Sequence, residues 1–131
     1  MSVRVLQPEE WGPPRGYVNG MEAEGRTIFV AGQIGWNPAT CEFETDDFIG
    51  QVDQALRNIV TVLAQAGARP EHVTRLTWYI TDRAAYMENT RALGRVYREL
   101  FGRHFPAMAV VIVAGLLEER AKVEIEATAV H

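Results

Sequence analysis

Two stripes of apolar residues, spaced three or four positions apart, predict the helices of this chain. The first stripe covers residues 48–66, and Gly67 marks its end. The second covers residues 86–101, with Asp82 as the predicted N-cap and Gly102 as the stop. Stripes of this kind usually pack on a protein core, so we expect both helices to have a structural role.

Alternating and β-branched segments predict the strands. Residues 15–23 and 26–31 flank a turn at Glu24-Gly25, and together they predict a β-hairpin. Residues 73–80 alternate with bulky side chains in both positions, which predicts a central strand. Its two expected faces are Thr74, Leu76, Trp78 and Ile80 on one side, and Val73, Arg75, Thr77 and Tyr79 on the other.

Two further strands are predicted near the C-terminal end. Residues 108–114 are apolar without interruption between a proline and a glycine, as expected for a short strand buried on both faces. Residues 122–130 alternate, which places Glu124 and Glu126 on one face, about 7 Å apart along the strand. Acidic side chains usually remain in water, so the spacing alone favours a solvated face over a functional pair.

The order of elements is therefore hairpin, helix, strand, helix and two strands. Each helix offers one apolar stripe, so both can cover the same face of one mixed sheet, in a two-layer α+β domain spanning residues 1–131. The uncovered face then mixes polar and apolar side chains, too apolar for water and too polar for a core. This mixture predicts self-association, with polar side chains lining clefts between subunits.

Composition and charge limit the classes of function. Of 131 residues, 47% are apolar and 23% are charged, which is ordinary for one globular domain. The net charge of −4 argues against a broad nucleic-acid surface but leaves a local basic patch open. The N-terminal residues lack the apolar region of a secretory signal, no apolar run is long enough for a membrane span, and the single cysteine, Cys41, cannot form an internal disulfide. We therefore expect a cytoplasmic protein.

Common catalytic and ligand-binding motifs are absent from the sequence. The histidines are scattered, no His or Cys pair has metal-ligand spacing, and no glycine-rich phosphate loop occurs. Gly32 directly follows a predicted strand, where it allows either a simple bend or close approach by a ligand. The remaining candidates for chemistry are Tyr17, Gly32, Glu124 and Glu126, because a carboxyl group beside an apolar wall suits general acid or base work on water.

Five short segments give a more specific indication. They are Gly16-Tyr17-Val18 with Gly20, Ile28 to Ile34, Asn37-Pro38, Phe105-Pro106-Ala107, and Val123 to Ala127 with Ala129-Val130. In that order, over nearly the whole chain, they resemble the RidA family, also called YjgF or L-PSP. The resemblance implies a chorismate-mutase-like fold and a homotrimer with a barrel-like interior and small-molecule clefts between neighbouring subunits. It also implies hydrolysis of reactive enamines and imines to a keto acid and ammonia, without a cofactor.

The resemblance further implies roles for individual residues. Glu124 would hold the attacking water, Tyr17 would be the pocket tyrosine, and Gly32, with Ala31 beside it, would bring a backbone amide near the substrate. The family's pocket arginine, which binds the substrate carboxylate, follows the Phe-Pro-Ala tripeptide, and that place is Met108 here. Methionine has no charge and no guanidinium fork, so carboxylate binding at this position is lost.

Two functions of different classes follow from this departure. In the first, the protein is an imine or enamine deaminase with altered specificity, in which Arg91 or Arg15 binds the acid group or the substrate is less acidic. Arg91 is expected near the place where the active branch of the family carries an asparagine. In the second, a non-catalytic trimer binds a small apolar or weakly polar metabolite against Met108. The older family name, endoribonuclease, suggests a third function that the acidic net charge disfavours.

Overall fold

The computed structural model describes residues 2–131, which contain six strands and three α-helices. In chain order these are β1 (Ser2–Leu6), β2 (Gly20–Glu24), β3 (Thr27–Ile34), α1 (Phe48–Gln65), β4 (Val73–Ile80), α2 (Arg83–Met87), α3 (Thr90–Phe101), β5 (Ala107–Ile112) and β6 (Val123–Val130). One 3-10 turn, Pro70–His72, leads into β4. Within the described residues, no helix combines the length and the hydrophobicity that a membrane span requires.

A four-stranded mixed sheet forms one layer of the fold, and the helices form the other. The strand order is β3-β6-β4-β5, with β6 antiparallel to both β3 and β4, and β4 parallel to β5. The core between the layers includes Val52, Leu56, Ile59 and Leu63 of α1 and Leu93, Tyr97 and Phe101 of α3. The predicted two-layer α+β class, with the helices on one face of a mixed sheet, is confirmed.

The predicted hairpin is wrong in its pairing, although the turn at Gly25 is present. β2 pairs with β1 in a separate two-stranded sheet, and β3 pairs with β6. Arg26 and His131 exchange two backbone hydrogen bonds of 2.9 Å, which join the chain after the turn to the end of β6. Gly25 has φ +149°, a conformation that residues with a side chain rarely adopt, so the chain changes direction there.

The second predicted helix is divided into α2 and α3 at residues 88–89. The side chain of Asn89 donates a 2.7 Å hydrogen bond to the carbonyl of Ala85, in competition with the backbone bonds that would continue α2. The face predicted for Val73 is also wrong. The pairing of β4 with β6 shifts register between Val73 and Arg75, so Val73 turns to the helix face, where it is fully buried.

The opposite face of the sheet is not covered by any element of the described chain. It mixes exposed apolar side chains, such as Phe29 at 79% and Val111 at 42% exposure, with polar ones. The polar side chains are Arg75, Thr77 and Tyr79 of β4, and Glu124, Glu126 and Thr128 of β6. We call this surface the open sheet face.

Candidate active site

Glu124 of β6 and Gly32 of β3 approach each other closely on the open sheet face. β3 shifts its pairing with β6 between Val30 and Gln33, and Ala31 and Gly32 lie within this irregularity. A Cβ atom on Gly32 would lie 2.5 Å from Oε2 of Glu124, so only glycine permits this approach. The close neighbour of Gly32 in this chain is the Glu124 side chain, and approach of a ligand to Gly32 stays a prediction.

Buried polar side chains of α1 fix the end of β3 just beyond this bulge. Asn58 donates hydrogen bonds to the carbonyls of Ile34, at 3.3 Å, and Trp36, at 3.1 Å. A Cβ atom on Gly35 would lie 2.4 Å from Cβ of Gln51, so the backbone just after β3 touches α1 directly. These contacts hold the backbone on the C-terminal side of Gly32 in one position.

The two carboxylates of β6 have different surroundings. Tyr79 donates a 2.9 Å hydrogen bond to Oε1 of Glu126, and this bond raises the pKa of the tyrosine hydroxyl. Glu124 is half-buried between Tyr79 and Ile34 in the strand register. Its carboxylate forms neither a hydrogen bond nor a salt bridge with residues 2–131, so its oxygens remain available for water or a ligand.

Met108 lies on the other side of the sheet, in register with the buried Leu76, and packs partly against the core. The segment that carries Tyr17 runs along the start of the same strand, β5. The amide of Val18 donates a 3.1 Å hydrogen bond to the carbonyl of Pro106, and Tyr17 itself is exposed. Tyr17 and Met108 are therefore brought to the same end of β5 by backbone contacts.

A cleft of about 720 Å³ opens beside Met108, and we call it the Met108 cleft. It is lined by Arg15, Gly16, Trp78, Tyr86, Met87, Thr90, Leu93, Gly94, Tyr97, Arg98, Phe105 and Met108. Most of this wall is apolar or aromatic, as is usual for small-molecule sites. The indole N–H of Trp78 is the one buried side-chain donor in residues 2–131 that lacks a partner. The Tyr97 hydroxyl donates a 2.6 Å hydrogen bond to the carbonyl of His104, and burial raises its pKa.

Comparison with known proteins identifies the family. The chain matches the family model described as Endoribonuclease L-PSP over residues 9–131. It is 35% identical over 106 residues to the 2-iminobutanoate/2-iminopropanoate deaminase of Capra hircus, a match that covers 81% of this chain and 74% of the relative. The chain belongs to the RidA family. Among solved structures, a Yersinia pestis protein of the conserved Rid family, YyfB, matches 100% of both chains with 34% identity and a TM-score of 0.88. E. coli TdcF with bound serine matches with 30% identity over 98% of both chains and a TM-score of 0.69.

Within one RidA-family subunit, the predicted site residues are divided between two places. Gly32, Ala31 and Glu124 belong to the open sheet face, and Met108 belongs to the cleft on the helix side. Tyr17 lies next to Val18, which forms a parallel bridge with Ala107, the first residue of β5. The described chain alone therefore brings Glu124 and Gly32 together but separates them from Met108 by the thickness of the sheet.

Of the two predicted replacements for the arginine that the resemblance implies, Arg15 lines the Met108 cleft, whereas Arg91 lies beside it and does not line it. It borders an adjoining depression with Arg15, Thr90, Gly94, Arg95 and Arg98. Arg15 and Arg98 line both the depression and the cleft. Sequence reasoning missed Arg98, although Arg91, Arg95 and Arg98 have the spacing of one helix face, and this spacing is the pattern that would have revealed it.

Proposed function

We propose that this RidA-family chain is a cofactor-independent enamine or imine deaminase whose substrate specificity differs from that of relatives with the pocket arginine. The observation that carries the proposal is the approach of Gly32 to the unpaired carboxylate of Glu124. A carboxylate with free oxygens beside an exposed backbone can orient one water and accept its proton. The deaminase activity in the name of the Capra hircus relative supports the same reaction.

The proposed reaction adds water across a C=N bond. The water oxygen attacks the imine carbon while Glu124 accepts a proton from the water, and Glu124 then gives this proton to the nitrogen to form a carbinolamine. In its collapse the hydroxyl proton passes to the nitrogen, the C=O bond forms, the C–N bond breaks and ammonia leaves. An enamine enters the same sequence after protonation at its β-carbon. In this scheme Tyr17 contacts the substrate, and the backbone at Gly32 and Ala31 lies against it.

We propose a homotrimer with the site between subunits. The separation of Glu124 and Met108 within one chain supports this arrangement, since a neighbour can place its Met108 cleft against the open sheet face. The exposed Phe29 on that face also supports the trimer. A large apolar side chain that is exposed in the single chain is typical of a residue that becomes buried in a subunit interface. The open sheet face would then form the interior of the trimer.

Met108 is the reason for proposing altered specificity. A methionine at the family's arginine position cannot form the paired hydrogen bonds that a guanidinium gives to a carboxylate. Binding of small acidic imines at that position is therefore weakened. The same residue favours the second candidate, a non-catalytic trimer that binds a small metabolite, because it puts an apolar side chain where the resemblance implies the family's arginine.

Turnover of 2-iminopropionate generated in situ tests the proposal, with release of the keto acid as the measured quantity. We expect a rate above buffer but higher rates for imines with larger or less acidic substituents. A buffer-level rate for 2-iminopropionate, together with buffer-level rates for a panel of non-acidic imines, would reject catalysis and leave the binding protein as the better account.

A further inference from the structure

The end of the Arg98 side chain lies over a glycine in the middle of α3. Gly94 lies within α3, where glycine is less favourable than alanine because it costs more backbone entropy. A Cβ atom on Gly94 would lie 2.9 Å from Nη1 of Arg98. The guanidinium of Arg98 therefore occupies the space above the helix backbone that a side chain at position 94 would fill.

Arg98 and Arg15 are free to bind an anion. Neither forms a salt bridge with a carboxylate in residues 2–131, whereas the five salt bridges there involve Arg4, Arg57, Arg69 and Arg120. Two guanidinium groups without a carboxylate partner in residues 2–131 thus meet at one cleft, in a chain whose net charge is −4. Both line the Met108 cleft, so its wall is cationic at one end and apolar elsewhere.

We propose that Arg98, seated over Gly94, and Arg15 form the carboxylate-binding end of the Met108 cleft, and that the ligand is a carboxylate with a bulky apolar or aromatic body. This inference rests on the proposed function and replaces Arg91 by Arg98 as the cation that compensates for Met108. The guanidinium fork supplies paired, charge-assisted hydrogen bonds to the carboxylate. Met108, Tyr86 and Phe105 supply the apolar contacts for the body of the ligand.

The size of the cleft determines the ligand class. A volume of about 720 Å³ is far larger than a three-carbon imino acid needs and falls in the usual range for drug-sized ligands. A small ligand would contact little of the apolar wall, so it would bury little apolar surface of its own and gain little from burial. An aromatic imine and its keto acid product both fit a site with one cationic end and one aromatic wall.

Titration calorimetry with stable keto compounds tests the proposed carboxylate-binding end of the cleft without relying on turnover. The probes are phenylpyruvate, pyruvate and phenylacetone, which separate the contribution of the carboxylate from that of the aromatic ring. We expect phenylpyruvate to bind at least about tenfold more tightly than either of the other two. Arg98→Gln and Arg15→Gln should each lower the affinity for phenylpyruvate about tenfold. Arg95→Gln is the matched control, because Arg95 lies on the same helix but does not line the cleft, and it should change affinity less than about twofold.

Three outcomes would overturn the proposal. The first is unchanged phenylpyruvate affinity in Arg98→Gln protein that retains the wild-type circular dichroism and melting temperature. The second is an equal loss in Arg95→Gln, which would indicate a general electrostatic field. The third is tight binding of a single-stranded RNA oligonucleotide that Arg95→Gln and Arg98→Gln weaken equally, which would indicate a nucleic-acid surface. Failure of the proposed function is separable, since it would abolish imine turnover and leave the order of keto-acid affinities intact.

Discussion

At the scale of single residues, the two glutamates of β6 are chemically similar but differ in what they contact. Glu126 is bound by Tyr79, whereas Glu124 has free oxygens directly over Gly32. The difference arises from the neighbouring strands, because β4 places a phenol near one carboxylate and the β3 bulge places bare backbone beside the other. The glutamate without a partner is therefore the better candidate to hold water.

Glu124→Gln is expected to abolish imine hydrolysis, because a neutral amide cannot accept the proton of the attacking water. The loss in kcat should be at least about 100-fold, the usual contribution of a general base. The matched control is Glu126→Gln, which removes the same charge one alternation along the strand and should retain most of the activity. Equal losses in the two variants, measured as keto-acid release, would contradict the assignment of the base to Glu124.

Met108→Arg is expected to shift preference towards small acidic imines, because it places a guanidinium where the family resemblance implies a carboxylate-binding arginine. The ratio of kcat/KM for 2-iminopropionate to that for an aromatic imine should rise about tenfold. Stability should fall, since Met108 packs partly against the core and the new cation lies near Arg15 and Arg98. Met108→Leu is the control for altered packing, and the same ratio in both variants would show that charge at this position does not determine specificity.

At the scale of elements, α3 combines a structural and a binding role on different faces. Leu93, Tyr97 and Phe101 pack into the core, while Arg91, Arg95 and Arg98 form a basic stripe on the outside. Gly94 lies where the two faces meet and is part of the cleft wall. Glycine at position 94 lowers the intrinsic stability of the helix and leaves room for the guanidinium of Arg98.

Gly94→Ala is expected to stabilise the protein and weaken carboxylate binding at the same time. Alanine should add about 1 kcal/mol to the free energy of unfolding through helix propensity, measured in urea. Its Cβ would displace the guanidinium of Arg98, so phenylpyruvate affinity should fall although no cleft charge is removed. In an Arg98→Gln background, the same substitution should stabilise equally but cause no further loss of affinity. An additional loss in that background would show that Gly94 acts independently of Arg98.

Helices and strands were predictable where a local sequence pattern determines them. Strand pairing and register were less predictable, because they depend on residues that are distant in the sequence. The stripe at residues 48–66 predicted α1 because a helix with one apolar face needs only its own spacing to be recognised. The partners of β2 and β3 were not predictable from local sequence, since β2 pairs with β1 and β3 pairs with β6, the last strand of the chain. The register shift after Val73 is also set by β6 rather than by local sequence.

The candidate site shows the same limit. Glu124 and Gly32 were candidates from the local sequence, whereas their expected roles, and the choice of Met108, came from the family resemblance. The contact between Gly32 and Glu124 depends on the β3 bulge, which the sequence pattern of residues 27–34 does not predict. Arg98 was missed because its proposed role depends on Gly94 and on a cleft lined by residues that are distant in sequence, such as Trp78, Tyr97 and Met108.

At the scale of the whole molecule, His72 makes stability depend on pH. Its ring is buried, its Nδ1 accepts a 2.9 Å hydrogen bond from the amide of Arg69, and it stacks on His131 with ring centroids 4.3 Å apart. Burial lowers the pKa of His72, and the charges of His131 and Arg69 lower it further, against a smaller opposing effect of Glu71. The unfolded chain, with an ordinary histidine pKa of about 6.5, therefore binds more protons than the folded chain.

Stability is consequently expected to fall as the pH decreases through about 6.5, because protons stabilise the unfolded state in that window. Urea unfolding of wild-type protein at about pH 7.5 and about pH 5.5 measures the loss. His72→Asn keeps a side-chain acceptor near the amide of Arg69 but does not titrate, so its stability should change less over the same interval. If His72→Asn protein showed the same pH dependence of stability as the wild type, titration of groups other than His72 would be responsible.

The open sheet face leads to the last prediction, which concerns assembly. Phe29 is 79% exposed there, and burial of such a side chain in each subunit interface would contribute about 1.5–3 kcal/mol. Light scattering after size exclusion should give three subunits for the wild type and smaller species for Phe29→Asp. Leu117→Asp is the matched control, because Leu117 is 96% exposed but lies in the loop between β5 and β6, and it should remain a trimer. Since one chain separates Glu124 from the Met108 cleft, dissociation by Phe29→Asp should also remove hydrolysis, and an active monomer would refute a site shared between subunits.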